Sequence, residues 1–453
     1  MPWALAKSLA TRVQEMVGGK VATGAVWAFG ITFTGYSLSF ITQVVLARIL
    51  GVEEYGTYVY ILGIMGAATV FAKLELDTTA VRYVAEYRAQ GNWAGLTGFS
   101  RWAQRNAFLA AAVASALALP WLLFHWKTGH ASLVRTGLVA TVVFPLIVAV
   151  QVRGGILQGF ERVAESQVPN QLLRPLIIVV LVGVLWLAAP TRLGAPAALV
   201  CNGIAVLVTW LVLGRLLRRS TAAQPDIVPD VGERSVWFAT MRGLTGLALA
   251  QFIMSAQTDI ILVGSIAGVA QAGIYGVASQ LAQIVSFGVN AIMFAGMPSL
   301  SALHSSGERN RLAEVVQGLA RLSLGIALPL GLCLVIAGPW ILGLYGPAFR
   351  AGFPVLMVLT LQNCVVGAGF GTVQGVLLSM TGRQAIAVKV TGTCAVLYLL
   401  LAIPMTHFLG PLGTALATTT AYLVRAIWLH RVIHREFGFR ALPFTLSGPA
   451  PVL

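Results

Sequence analysis

The sequence predicts an all-α integral membrane protein of about twelve transmembrane helices, arranged as two six-helix lobes. Three observations carry that reading. Of the 453 residues, 57% are hydrophobic and only 10% are charged, whereas a soluble domain carries about 25% charged residues. The mean hydropathy of +0.83 comes from recurrent apolar runs of about 20 residues, the length that spans a bilayer as a helix. Finally, the pattern I-x-G-V-x-x-x-G-x-Y occurs at 49–58 and again at 266–275, each time between the first and second helix of a six-helix set.

Residues 1–20 come first. Lys7, Arg12 and Lys20 interrupt Trp3, Leu5, Leu9, Val13 and Met16, so no continuous signal-peptide core forms. The spacing suits an amphipathic helix on the inner membrane face. Helices one and two, near 21–48 and 56–77, flank the charged stretch ILGVEEYGTYVY at 49–60. There Gly51 and Gly56 permit a tight external turn, Tyr58 and Tyr60 suit an interfacial belt, and Glu53 and Glu54 are read as solvated. Lys73, Glu75, Asp77, Arg82 and Glu86 continue helix two beyond the membrane, with Arg82 and Glu86 four apart on one face.

Helices three to six follow near 103–124, 133–158, 167–189 and 195–217, completing an N-lobe of 21–217. The linker 218–235 contains RRSTAAQPDIVPDVGER, with two prolines and mixed charge, as a lobe boundary should. Helices seven to twelve lie near 236–264, 269–297, 318–338, 351–377, 386–408 and 412–433, giving a C-lobe of 236–434 and a tail of 435–453. In lipid each run must be helical, because every backbone N–H and C=O has to be satisfied within its own segment.

Loop charge sets the orientation. Basic residues crowd the N-terminus, the second loop (Arg82, Arg88, Arg101), the sixth (Arg215, Arg218, Arg219, Arg234) and the tail (Arg431, Arg435, Arg440). The alternate loops hold only Arg48, Lys127, Arg192 and Arg350. Both termini are therefore expected in the cytoplasm and the 49–60 turn outside. The net charge of +15 belongs to these loops, not to a basic stripe on a soluble domain, which excludes nucleic acid as a partner. Cys201, Cys333, Cys364 and Cys394 are scattered through apolar runs and read as small buried hydrophobes. His430 and His434 share a metal pair's spacing without a third ligand, so no metal is expected.

A charge within hydrocarbon costs about 2.5 kcal/mol or more and needs a reason. Arg153, Arg174, Arg242, Lys389 and Arg425 fall in the inner half of their helices, and Asp259 in the outer third of helix seven. An inward-opening cationic cavity would capture an anionic headgroup, since a guanidinium grips phosphate oxygens as a fork. Arg153, Arg242 and Lys389 suit either that role or snorkelling to the interface. Arg174 and Arg425 sit deeper and read as cavity-lining. Asp259 either binds a coupling proton or Na⁺, or pairs with Arg48 as an outer gate. Gln251, Gln257, Gln280, Gln283, Asn290, Gln362, Asn363 and Gln374 suit either sugar hydroxyls or interhelical hydrogen bonds.

LARILGVEEYGTYVYI (46–61) is similar to the first-loop signature of Wzx-like polysaccharide and O-antigen flippases, in the superfamily that also holds the MATE multidrug exporters and the peptidoglycan-precursor flippases. TDIILVGSIAGVAQAGIYGVASQL (258–281) and PWILGLYGPAFRAGFPVLMVLTLQ (339–362) resemble the family's seventh-to-eighth and ninth-to-tenth helix segments. The resemblance implies a MATE-like parallel repeat that translocates a lipid-linked oligosaccharide, carried on polyprenyl pyrophosphate, across the cytoplasmic (inner) membrane by alternating access. It also implies no enzymatic cofactor, possible Na⁺ or H⁺ coupling, a monomer, and glycan polymerase or assembly proteins as partners. A MATE-type drug exporter is the nearest rival, typically with a carboxylate in its first helix; 21–47 contains none. A membrane glycosyltransferase would need large external loops with acidic or His catalysts, and these loops are short. A non-transporting component of glycan assembly stays open.

Overall fold

A computed structural model describes residues 19–125, 131–189, 193–221, 230, 232–306, 308–381 and 383–438. The amphipathic segment at 1–18, the linker centre at 222–229 and the tail from 439 lie outside the described residues. Every regular element among the described residues is a helix. Nine stretches of them are long and apolar enough to cross a membrane. Dividing the first at Gly51 and adding the interrupted segment 234–266 and the more polar Pro411–Phe437 recovers the twelve expected. The chain is a multi-pass membrane protein, and exposed apolar side chains such as Phe124, Leu187 and Phe408 suit lipid.

The described residues form two compact units, one within 1–50 and 68–245, the other within 51–67 and 246–453. The expected division, 21–217 and 236–434 about a linker at 218–235, follows polarity; grouping by contact differs from it at two places. Residues 51–67 belong with the second unit, and the boundary falls inside a helix instead of in the polar linker.

The first unit takes α1 (Gly19–Lys73), which bends at Gly51, except for its residues 51–67; it then takes α2 (Leu76–Ala89), α3 (Trp93–His125), α4 (Ala131–Gly159), α5 (Val163–Val168), a π turn (Pro169–Leu173), α6 (Arg174–Ala188), α7 (Ala195–Thr221) and the part of α8 (Arg234–Ile253) up to Thr245. α4 is central, packing on α2, α3 and α7, with Val150 and Leu157 meeting Val206 and Leu213 across the α4–α7 seam. α2 does not continue helix two as expected. Leu74 and Glu75 adopt positive φ and break the helix, and the Lys73 ammonium donates to Asp77 across the break at 2.6 Å. The end of the linker is docked: Asp230 N–H donates to the Ala94 carbonyl at 3.0 Å, Tyr87 O–H donates to Glu233, and the Trp237 indole donates to Tyr87 at 2.9 Å.

In the second unit, residues 51–67 join α9 (Ala256–Ile266), α10 (Val269–Ser305), α11 (Arg309–Tyr345), a 3₁₀ turn (Pro347–Gly352), α12 (Phe353–Leu361), a π segment (Gln362–Gly371), α13 (Thr372–Met380), α14 (Gln384–Leu409) and α15 (Pro411–Phe437). Its core joins Leu300, Val316, Leu377, Tyr398 and Ala417. Of the four cysteines, Cys333 is exposed and the others buried.

The repeated motif separates its two glycines by role. Gly51 (φ 74°, ψ 176°) sits in backbone space essentially reserved for glycine, and its counterpart Gly268 also has positive φ, 97°. Gly56 is helical, so it does not form the turn. A Cβ there would stand 2.0 Å from the Val269 carbonyl oxygen, and one on Gly273 would stand 2.8 Å from the Gly56 Cα. These two glycines let backbones touch, which draws 51–67 into the second unit. Tyr58 and Tyr275 are both buried, so Tyr58 is a packing residue and not the interfacial anchor expected.

Candidate functional site

Helix seven is interrupted. α8 ends at Ile253 and α9 begins at Ala256, with Ser255 extended (φ −97°, ψ 160°) between them. The freed carbonyls find side-chain donors: Thr258 Oγ1 donates to Phe252 O at 2.8 Å and Tyr422 Oη to Met254 O at 2.9 Å. This is the condition under which a broken helix is tolerated at membrane depth.

Asp259 lies in the first turn of α9, where the helix dipole favours negative charge. It is only 2% exposed, and three hydroxyls converge on it. Tyr275 (α10) donates to Oδ2 at 2.7 Å; Tyr398 (α14) donates to Oδ1 at 2.5 Å, and Thr418 (α15) to the same oxygen at 2.9 Å. A carboxylate has about four lone-pair positions, so one on Oδ2 is left. Hydroxyl oxygens around a buried carboxylate can hold a proton or a small hard cation. Within its unit, Asp259 is thus held by hydroxyls; Arg48 is exposed and belongs to the first unit. Elsewhere in the second unit, Gln374 is fully buried with neither amide atom hydrogen-bonded among the described residues.

The expected cations occupy distinct settings. Arg174 opens α6, with Nε and Nη2 donating to Asn202 Oδ1 at 3.1 and 3.0 Å and Nη1 to Asn170 at 3.3 Å. Arg153, on α4, donates from Nε to Gln104 at 2.9 Å and from Nη1 to the Trp210 carbonyl at 2.7 Å, and its guanidinium lies 4.0 Å from the Trp210 ring centroid. Gly214 makes the room, since a Cβ there would stand 2.5 Å from Arg153 Nη1. Arg153 opens onto a cavity of about 570 Å³ between α3, α4 and α7, shared with Arg101, Arg215 and Arg218; Arg174 does not line it. In the second unit Arg425 (α15) stands 5.1 Å over the ring of Tyr422, the residue that caps the helix break. Arg242 (α8) and Lys389 (α14) are exposed, as interfacial charges would be. Of the expected polar set, Asn363 donates to Ala282 O at 2.8 Å and Gln362 accepts from Thr419 at 3.2 Å, so both act between helices.

Residues 21–304, more than half the chain, match the family described as polysaccharide biosynthesis protein. The chain belongs to that family. The curated relative "Sporulation protein YkvU" of Bacillus subtilis is 23% identical over 368 residues, covering 75% of this chain and 80% of that protein. Among solved structures, an inward-facing multidrug resistance MATE family transporter of the MOP superfamily aligns with a TM-score of 0.71 at 16% identity, over 91% of this chain and 98% of that one. A MOP superfamily transporter from Pyrococcus furiosus, described as having a binding pocket of reversed polarity, aligns at 0.58 and 13% identity, over 92% and 95%. The protein therefore has the two-lobe helical fold seen in MATE and MOP transporters.

Proposed function

We propose that the protein is a flippase, not an enzyme, carrying a lipid-linked oligosaccharide on a polyprenyl pyrophosphate across the cytoplasmic membrane by alternating access, with both termini in the cytoplasm. The observation that carries this reading is membership of the polysaccharide biosynthesis family combined with arginines set within membrane helices. Arg174 and Arg425 stand in such segments, and guanidinium keeps its charge in any ordinary setting. An anionic pyrophosphate is the complementary cargo. Arg174 is fixed by neutral amides, and Arg425 leans on the aromatic ring that braces the helix break. Asp259 is the carboxylate for a coupling proton or Na⁺, with its hydroxyl cage supplying further oxygen ligands. The working form is a monomer, served by glycan polymerase or assembly proteins.

Deletion of the gene tests this directly. Cytoplasm-facing lipid-linked oligosaccharide should accumulate while surface glycan disappears. Unchanged surface glycan with new drug sensitivity would instead establish the exporter reading, which the buried Asp259 and the multidrug transporters of like fold favour.

A further inference from the structure

We propose that the arginine cavity of the first unit is a resident lipid site: it holds the phosphate headgroup of an anionic phospholipid, whose acyl chains lie along the exposed face of α7. Among the described residues, the cavity lining contains four guanidiniums, from Arg101, Arg153, Arg215 and Arg218, and no carboxylate. None of the four forms an ion pair among the described residues. Like charges held this close repel one another, and a phosphodiester between them would reverse the sign of that interaction.

The site is built as well as charged. Arg153 is locked by Gln104, the Trp210 carbonyl and the Trp210 ring, which leaves its Nη2 without a hydrogen bond among the described residues. Ser100 also lines the cavity. It is 7% exposed, and its Oγ has no hydrogen-bond partner among the described residues. A buried hydroxyl in that state is destabilising, and a phosphate oxygen would satisfy it.

An apolar track says that the anion is attached to a lipid. Val200, Ile204, Leu207 and Leu211 are each 40–44% exposed, and their spacing of three or four residues places them on one face of α7. The same face continues into Arg215 and Arg218. Leu211 belongs to both, because it also lines the cavity. Acyl chains along the track would bring a headgroup to the cavity mouth, at the end of α7 where basic residues meet an anionic leaflet. Every lining residue belongs to the first unit, and the proposal does not depend on which compound the protein transports.

Native mass spectrometry of the detergent-purified full chain would test it, with titrations of phosphatidylglycerol, phosphatidylcholine and inorganic phosphate. Phosphatidylglycerol should bind about tenfold more tightly than phosphatidylcholine. The triple variant Arg101→Gln, Arg215→Gln, Arg218→Gln changes exposed side chains only and should lose that preference. Should the triple variant not fold, Arg218→Gln alone should weaken phosphatidylglycerol binding about threefold, and raising the salt should do the same to the native chain. Equal binding of the two lipids, or a variant that keeps the preference, would overturn the proposal. So would displacement of phosphatidylglycerol by millimolar inorganic phosphate, which would mark a site for a soluble anion.

Discussion

Replacing Gly56 by alanine adds one methyl group, and the structure says where that carbon goes. Its nearest neighbours would be the Val269 carbonyl oxygen at 2.0 Å, the Val269 carbonyl carbon at 2.7 Å and the Ala270 Cα at 3.2 Å. All three are backbone atoms, so no rotamer change relieves the clash. Ordinary contact begins at 3.4 Å, so segment 52–67 and the start of α10 must separate by about 1.4 Å. Overpacking typically costs about 1–3 kcal/mol, and a backbone-on-backbone clash belongs at the upper end. At about 2–4 °C per kcal/mol for a unit of some 200 residues, the Gly56→Ala protein should melt about 6–12 °C below the native chain. Scanning fluorimetry in detergent reads this directly. Gly63→Ala is the internal comparison, because its Cβ would be crowded by the movable Ile261 side chain alone, at 3.3 Å, with the Gln257 carbonyl oxygen at an ordinary 3.5 Å; its loss should be a third of that or less. A Gly56→Ala protein melting within 2 °C of native would refute the idea that this glycine exists for close approach.

Asp259→Ala strands the Tyr275 and Tyr398 hydroxyls, at about 1–3 kcal/mol each, while Thr418 keeps the Thr414 carbonyl at 2.9 Å. The melting temperature should fall by at least about 4 °C, whereas Asp259→Asn should fall less yet abolish any stimulation of transport by a Na⁺ or proton gradient. Arg174→Ala with Arg425→Ala should reduce flipping of labelled lipid-linked oligosaccharide in proteoliposomes at least tenfold at normal protein level, and native rates in the double variant would remove both residues from the site. Burial and the hydrogen bond to Glu233 raise the Tyr87 phenol well above its ordinary range. The stability this confers is therefore complete below about pH 10 and falls as the pH climbs beyond it. Tyr87→Phe should cost about 1–3 kcal/mol at neutral pH, speed amide exchange at 232–240, and lack that alkaline loss.

The helix count and the all-helical fold were legible because lipid permits the backbone no alternative. Gly51 was legible for a similar reason: the charged turn needed a residue free to take positive φ. Gly56 was misassigned to the same turn, since nothing local distinguishes a glycine that bends the chain from one that admits a neighbour 213 residues away, at Val269. Asp259 stood out as a charge in an apolar run, but its partners Tyr275, Tyr398 and Thr418 lie on three other helices. Of these only Tyr275 carried a signal, through the repeat. The break at Met254–Ser255 has no glycine or proline to mark it; tertiary hydrogen bonds from Thr258 and Tyr422 make it affordable. Arg101, Arg215 and Arg218 looked like ordinary loop charges because convergence of helix ends is invisible along one dimension. The sequence places the lobe boundary by polarity, whereas contact groups 51–67 with the chain from 246 onwards.

The meeting of the motif copies has a symmetry of its own. A Cβ on Gly56 would strike the Val269 carbonyl, and a Cβ on Gly273 would come within 3.2 Å of the Val52 carbonyl. Gly273 is the counterpart of Gly56, and Val269 of Val52. Each copy thus presents to the other the surface that it receives, the self-complementary arrangement of a two-fold dimer contact, here joined within a single chain. A side chain at either glycine would therefore strike the other copy's backbone. The neighbouring residues differ between the copies, with Glu53 and Glu54 at the places of Ala270 and Gln271 in the pattern, while both copies keep the glycine.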